Sequence, residues 1–102
     1  MKFGLPDQTV AKICAVFALY PAIQRAVIYG SRVKGNYKAG SDIDLTLFGA
    51  TLTPAMCADI ADALDDLLLP YCIDLSLFDT LDKQALREHI ERVGVDFYPL
   101  GV

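Results

Sequence analysis

The chain alternates between stretches whose apolar residues recur every three to four positions and short runs in which apolar and polar residues take turns. Val10, Ile13, Cys14, Phe17 and Ala18 follow Asp7 at helical spacing. This predicts a first helix over about 8–20, with Asp7 as N-cap and Pro21 as its stop. Residues 23–29 read as a strand ending at Gly30, and Ser31 to about Tyr37 as a short helix. Gly35, Gly40 and Ser41 mark irregular chain beyond it. A second strand is expected over 42–48. Thr53 or Thr51 then caps a third helix with Pro54 in its first turn and Met56, Ile60, Ala63, Leu64 and Leu67 as its apolar stripe. Asp59, Asp62, Asp65 and Asp66 lie mostly off that stripe and read as a solvated face. Pro70 ends the helix. Residues 71–78 form a third strand. Asp79 caps a fourth helix carrying Leu86, Ile90 and Val93, Gly94 stops it, and 95–100 make a short last strand. The order α-β-α-β-α-β-α-β predicts an α/β or α+β fold. A small mixed sheet of about four strands is packed with helices in a single domain over 1–102.

Bulk properties narrow the setting. With 102 residues, 54% of them apolar, the chain can bury one modest core. No apolar run is long enough to span a bilayer, and MKFGLPDQTV is not a signal peptide, so a cytoplasmic location without membrane attachment is expected. Cys14, Cys57 and Cys72 have no metal-ligand spacing and read as reduced thiols. A net charge of −4 argues against a nucleic-acid polymer as the main ligand. Yet three of the nine basic residues, Arg32, Lys34 and Lys38, fall in one loop.

That loop joins the two most informative features. Ten residues separate Gly30-Ser31 from Asp42-Ile43-Asp44. Residues two apart on a strand share a face, so Asp42 and Asp44 project together and repel. A divalent cation compensates such a pair, and Mg²⁺ takes one or two carboxylates together with substrate phosphate oxygens. The Gly-Ser turn offers N–H groups and a hydroxyl to phosphate, with Gly30 sparing the backbone a side chain in the way. Ser31 has no base beside it in sequence and reads as a phosphate ligand, not a nucleophile. Arg32 and Lys34 are expected to add positive charge toward the phosphates. The pieces point to metal-assisted chemistry on a nucleoside triphosphate.

Ile43-Asp44-Leu45-Thr46-Leu47-Phe48 is nearly repeated as Ile73-Asp74-Leu75-Ser76-Leu77-Phe78. An acid inside an apolar strand is costly unless paired or metal-bound. If the two strands neighbour each other in register, Asp74 joins Asp42 and Asp44. His89, the single histidine, reads as a helix-surface residue. Tyr29, Tyr37, Tyr71 and Tyr98 are candidates to stack on a base, among which the sequence does not choose.

Ala26 to Leu47, AVIYGSRVKGNYKAGSDIDLTL, closely resembles the signature of the DNA polymerase β-like nucleotidyltransferases: an apolar strand, Gly-Ser, a spacer, then Asp-x-Asp. Within that superfamily it looks most like the minimal nucleotidyltransferases, small proteins often paired as antitoxins with a HEPN-domain partner. The resemblance implies nucleotidyl transfer. Asp42 and Asp44 would hold the nucleotide's Mg²⁺ and, with Asp74 as the third carboxylate, a second ion near the acceptor, Mn²⁺ being an alternative metal. Gly30 and Ser31 would orient the triphosphate. The resemblance further implies ATP as donor and a tyrosine hydroxyl of a HEPN toxin as acceptor.

The chain holds little beyond such a catalytic core, so an acceptor site that is shared with a partner or shallow is expected, and assembly with itself or a partner fits. A different class of function also fits: an antitoxin that neutralises its partner by binding and occlusion without transfer. Small-molecule nucleotidylation fits less well, because little chain remains to build a substrate pocket.

Overall fold

The computed structural model describes residues 2–38 and 40–99. Four strands, β1 (Arg25–Tyr29), β2 (Ile43–Phe48), β3 (Ile73–Leu77) and β4 (Val95–Tyr98), form one sheet in the order β3-β2-β1-β4. β1 pairs antiparallel with both β2 and β4, whereas β2 and β3 are parallel. A parallel pair needs a crossover, and α3 (Pro54–Asp65) supplies it. The other helices are α1 (Asp7–Ala18), the single-turn α2 (Ser31–Lys34) and α4 (Gln84–Val93). The expected element order and the small mixed sheet are both present.

Strand alternation sorts the side chains into two layers. Ala26 and Ile28 of β1 and Ile43, Leu45 and Leu47 of β2 are buried in the larger core. Val10, Ile13, Cys14 and Phe17 of α1 and Ile60 and Leu64 of α3 join them there. Val27 and Tyr29 belong to a second, smaller cluster with Phe78 and Ile90, against which Phe48 packs. The rings of Phe48 and Phe78 stack at 4.6 Å. α4 gives this smaller layer Ile90, with Leu86 packed against it.

Several element ends differ from expectation. Pro6, not Asp7, occupies the N-cap of α1, and Asp7 sits in the first turn, where a carboxylate favours the helix dipole. α1 ends at Ala18, before Pro21. α2 stops at Lys34, short of Tyr37. Of the two candidate caps for α3, Thr53 serves: its hydroxyl accepts a 3.2 Å hydrogen bond from the Met56 amide, and Pro54 follows at the first helical position. That helix ends at Asp65, well before Pro70.

Asp79 does not cap α4; it lies in a 3₁₀ turn, Phe78–Thr80, and Lys83 takes the cap position. Tertiary contacts hold that turn. The Thr80 hydroxyl donates to the Leu77 carbonyl, and one Arg87 nitrogen donates to the carbonyls of Phe78 (2.8 Å) and Leu81 (3.0 Å). Gly94 does end α4, but in an extended conformation. Its lack of a side chain matters because a Cβ there would strike the Ile90 carbonyl and Val27. β4 spans Val95–Tyr98, and the expected end of this strand at Leu100 lies outside the described residues. No helix of the described residues is long and apolar enough to cross a membrane.

Candidate active site

The repeated hexapeptides lie side by side, residue for residue: Ile43 against Ile73, Asp44 against Asp74, Leu45 against Leu75, Thr46 against Ser76 and Leu47 against Leu77. On the other side of β2, Asp44 stands opposite Tyr29. Residues directly opposite in a ladder point to the same face. Tyr29, Asp44 and Asp74 therefore form one row across three strands. Asp42, two residues before Asp44 and just outside β2, faces the same way. Asp44 is half-buried, whereas Asp42 and Asp74 are exposed. Burial, then the negative charges of Asp74 and Asp42, push the Asp44 carboxyl above its ordinary pKa. A cation placed beside Asp44 would offset both the burial and the neighbouring negative charge.

The Gly-Ser turn closes over this row. Gly30 has φ 82° and ψ −153° and starts the single turn of α2 by accepting hydrogen bonds at its carbonyl from the amides of Val33 and Lys34. A Cβ on Gly30 would collide with the Asp44 carboxylate. The glycine is thus needed to let the turn and the acid approach each other, a closer reason than the one expected from sequence. Helix geometry leaves the Ser31 and Arg32 amides without partners inside the turn, and Ser31, next to Gly30, is half-buried. Gly30→Ala is expected to lose about 1–3 kcal/mol from its backbone conformation alone and to displace Asp44. A shifted urea midpoint with unchanged slope will register the first effect, and weakened Mn²⁺ binding the second.

Arg32 departs from the sequence expectation. It is only 3% exposed. Its guanidinium donates to the Ser41 carbonyl (3.2 and 2.8 Å) and to the Phe3 carbonyl (3.0 Å). The rings of Tyr37 and Tyr71 lie 5.2 and 5.1 Å from it. A guanidinium occupied in this way clamps the loop instead of facing a phosphate. Because Ser41 precedes Asp42, the clamp fixes the chain entering the acid pair. The Ser41 hydroxyl also accepts a 2.7 Å bond from the Lys38 amide. Lys34 and Lys38 remain exposed, so Lys34 is the solvent-facing cation of the expected nucleotide-binding set.

The four tyrosines separate cleanly. Tyr98 packs edge-on against Phe17 at 5.7 Å. Tyr37 and Tyr71 flank Arg32, and the Tyr37 ring covers Gly4. Tyr29 alone stands beside the acids. His89 sits on α4, outside the row.

Among the described residues, no group of three or more His, Cys, Asp or Glu side chains is drawn closely enough to hold an ion by itself. The donor set nevertheless fits Mg²⁺ or Mn²⁺: hard oxygen ligands, two on one face and a third in register beside them, with coordination left for phosphate. An all-protein cage is not what such an ion requires.

Solved structures share this arrangement of elements. A toxin–antitoxin complex with AMP-PNP matches with a TM-score of 0.70 and 22% identity over 92% of this chain and 73% of that one. A tri-AMPylated Shewanella oneidensis HEPN toxin in complex with MNT antitoxin matches with a TM-score of 0.65 and 20% identity over 89% of this chain and 70% of that one. A nucleotidyltransferase-like protein from Sulfolobus solfataricus matches with a TM-score of 0.54 and 18% identity, over 89% and 78% of the two chains. These likenesses concern the fold. No curated protein matches the chain in sequence. The family described as "Polymerase beta, Nucleotidyltransferase" matches residues 11–99, which takes in the Gly-Ser turn, the strands bearing Asp44 and Asp74 and the whole sheet. By that match the chain belongs to the polymerase β nucleotidyltransferase family.

Proposed function

We propose that this nucleotidyltransferase moves AMP from ATP to a tyrosine hydroxyl of a HEPN-domain toxin and so acts as its antitoxin in the cytoplasm. The observation that carries this reading is the row of Asp44 and Asp74 under the Gly30-Ser31 turn, in a fold shared with a complex whose HEPN toxin is tri-AMPylated.

In this reading Asp42 and Asp44 hold Mg²⁺, with Mn²⁺ as an alternative, and Asp74 contributes to a second ion. Bound there, the metal supplies positive charge to the phosphates. The Ser31 hydroxyl and the free amides of the turn hold the triphosphate in line, and the exposed Lys34 adds charge at its outer end. The acceptor oxygen bonds to the α-phosphorus, the bond between that phosphorus and the β-bridging oxygen breaks, and pyrophosphate leaves with the electron pair. Asp74, exposed at the rim, takes the acceptor's proton.

The test is transfer of label from α-labelled ATP with Mg²⁺, with and without a HEPN-domain toxin, using the Asp42→Ala/Asp44→Ala protein as control. Label on a toxin tyrosine with the intact protein alone supports adenylyl transfer. No label, with the double variant still neutralising the toxin in a tight complex, replaces it by occlusion.

A further inference from the structure

Tyr29 is 8% exposed and shares a cluster with Val27, Phe78 and Ile90, so packing accounts for its ring. Packing does not account for its hydroxyl. Tyr29 lies on β1, yet a side-chain hydrogen bond joins it to Ser76 on β3. Those strands are second neighbours, roughly 9–10 Å apart. A phenol that reaches from one to the other must lie across β2, on the face bearing Asp44 and Thr46. Thr46, on that same face two residues beyond Asp44, is fully buried, as expected beneath such a ring. Asp74 and Asp44 are both near enough for their charges to act on the phenol.

On the reading that Asp44 and Asp74 are ion ligands, we propose that Tyr29 is a positioning residue for them: its hydroxyl, anchored by Ser76, supports the two carboxylates from below and holds them at ion-binding separation. A phenol is protonated at neutral pH and can donate to a carboxylate. Hydrogen-bonded supports beneath ligating groups are commonly worth 10–100-fold in metal affinity. The support joins all three strands, so a carboxylate that swings away from the ion must also disturb the Tyr29–Ser76 contact.

The experiment is Mn²⁺ binding, followed by the paramagnetic resonance signal of the free ion, in the presence of a non-hydrolysable ATP analogue. The intact protein is compared with Tyr29→Phe, Ser76→Ala, the double variant and Asp44→Asn. Tyr29→Phe keeps the ring and the fold, and a packing role alone predicts unchanged binding. The proposal predicts about tenfold weaker Mn²⁺ binding in Tyr29→Phe, a similar loss in Ser76→Ala, and a double variant no worse than the weaker single one. In the transfer assay the Tyr29→Phe deficit should shrink as Mn²⁺ saturates. Wild-type binding by Tyr29→Phe while Asp44→Asn binds poorly overturns the proposal and leaves the acid site standing. Wild-type binding by Asp44→Asn overturns the acid site and the proposal with it. Weak binding by Tyr29→Phe with wild-type binding by Ser76→Ala overturns the anchoring through Ser76.

Discussion

Asp44→Asn will lose transfer by at least about a thousandfold, since a divalent ion's contribution of several kcal/mol corresponds to that factor. The same change will make the metal-free chain more stable at neutral pH. The sign follows from Asp44's raised pKa, caused by burial and by Asp74 and Asp42. A carboxyl that binds its proton more tightly when folded contributes fully to stability below its unfolded pKa. That contribution is lost as pH rises from the ordinary carboxylate pKa through the raised one. Asparagine never ionises, so its advantage over the wild type should be absent in acid, grow across that window and then level off. Urea unfolding of both proteins in chelator, from acid to neutral pH, measures the difference. Adding Mg²⁺ with nucleotide should reverse the order by stabilising the wild type alone. An advantage that stays constant with pH would contradict the crowding of the three acids.

Arg32→Lys will behave unlike a conservative change. The guanidinium spans carbonyls at Phe3 and Ser41 while lying between two aromatic rings. An ammonium cannot reproduce the fork. Leaving those carbonyls poorly satisfied and a buried cation misplaced is expected to cost about 2–4 kcal/mol. For a domain of this size that lowers Tm by roughly 4–8 °C per kcal/mol. The loss should appear equally with and without ATP, by thermal unfolding and denaturant midpoints. A destabilisation confined to the nucleotide-bound protein would instead return Arg32 to the phosphates.

The contrast between Arg32 and the acid row shows which information is local. Asp42, Asp44 and Asp74 were legible because strand periodicity fixes which residues share a face, and the repeated hexapeptide supplied its own register. Only the adjacency of β2 and β3 had to come from the fold. The partners of Arg32 lie 9 and 29 residues away, and nothing in the sequence near Gly30 names them. Grouping it with Lys34 and Lys38 as loop cations treated a buried fork and two exposed ammonium groups alike. Asp79 failed as a cap for a related reason. Its cap signal was sound locally, but Arg87, eight residues on, braces the carbonyls of Phe78 and Leu81 and holds the chain in a 3₁₀ turn. Tyr29 stood in plain view before Gly30, yet a phenol crossing to a second-neighbour strand leaves no pattern to read.

The strand order also gives the two acids of the row different mechanical lives. β2 is laddered on both sides, whereas β3 ends the sheet. Opening an interior strand breaks two ladders and opening a terminal one breaks a single ladder, so the segment carrying Asp74 fluctuates at lower free-energy cost than the one carrying Asp44. The carboxylate pair is therefore one stationary arm and one that breathes. On the proposed reading, in which both carboxylates hold an ion, closing on it displaces the edge-strand arm more readily than the interior one.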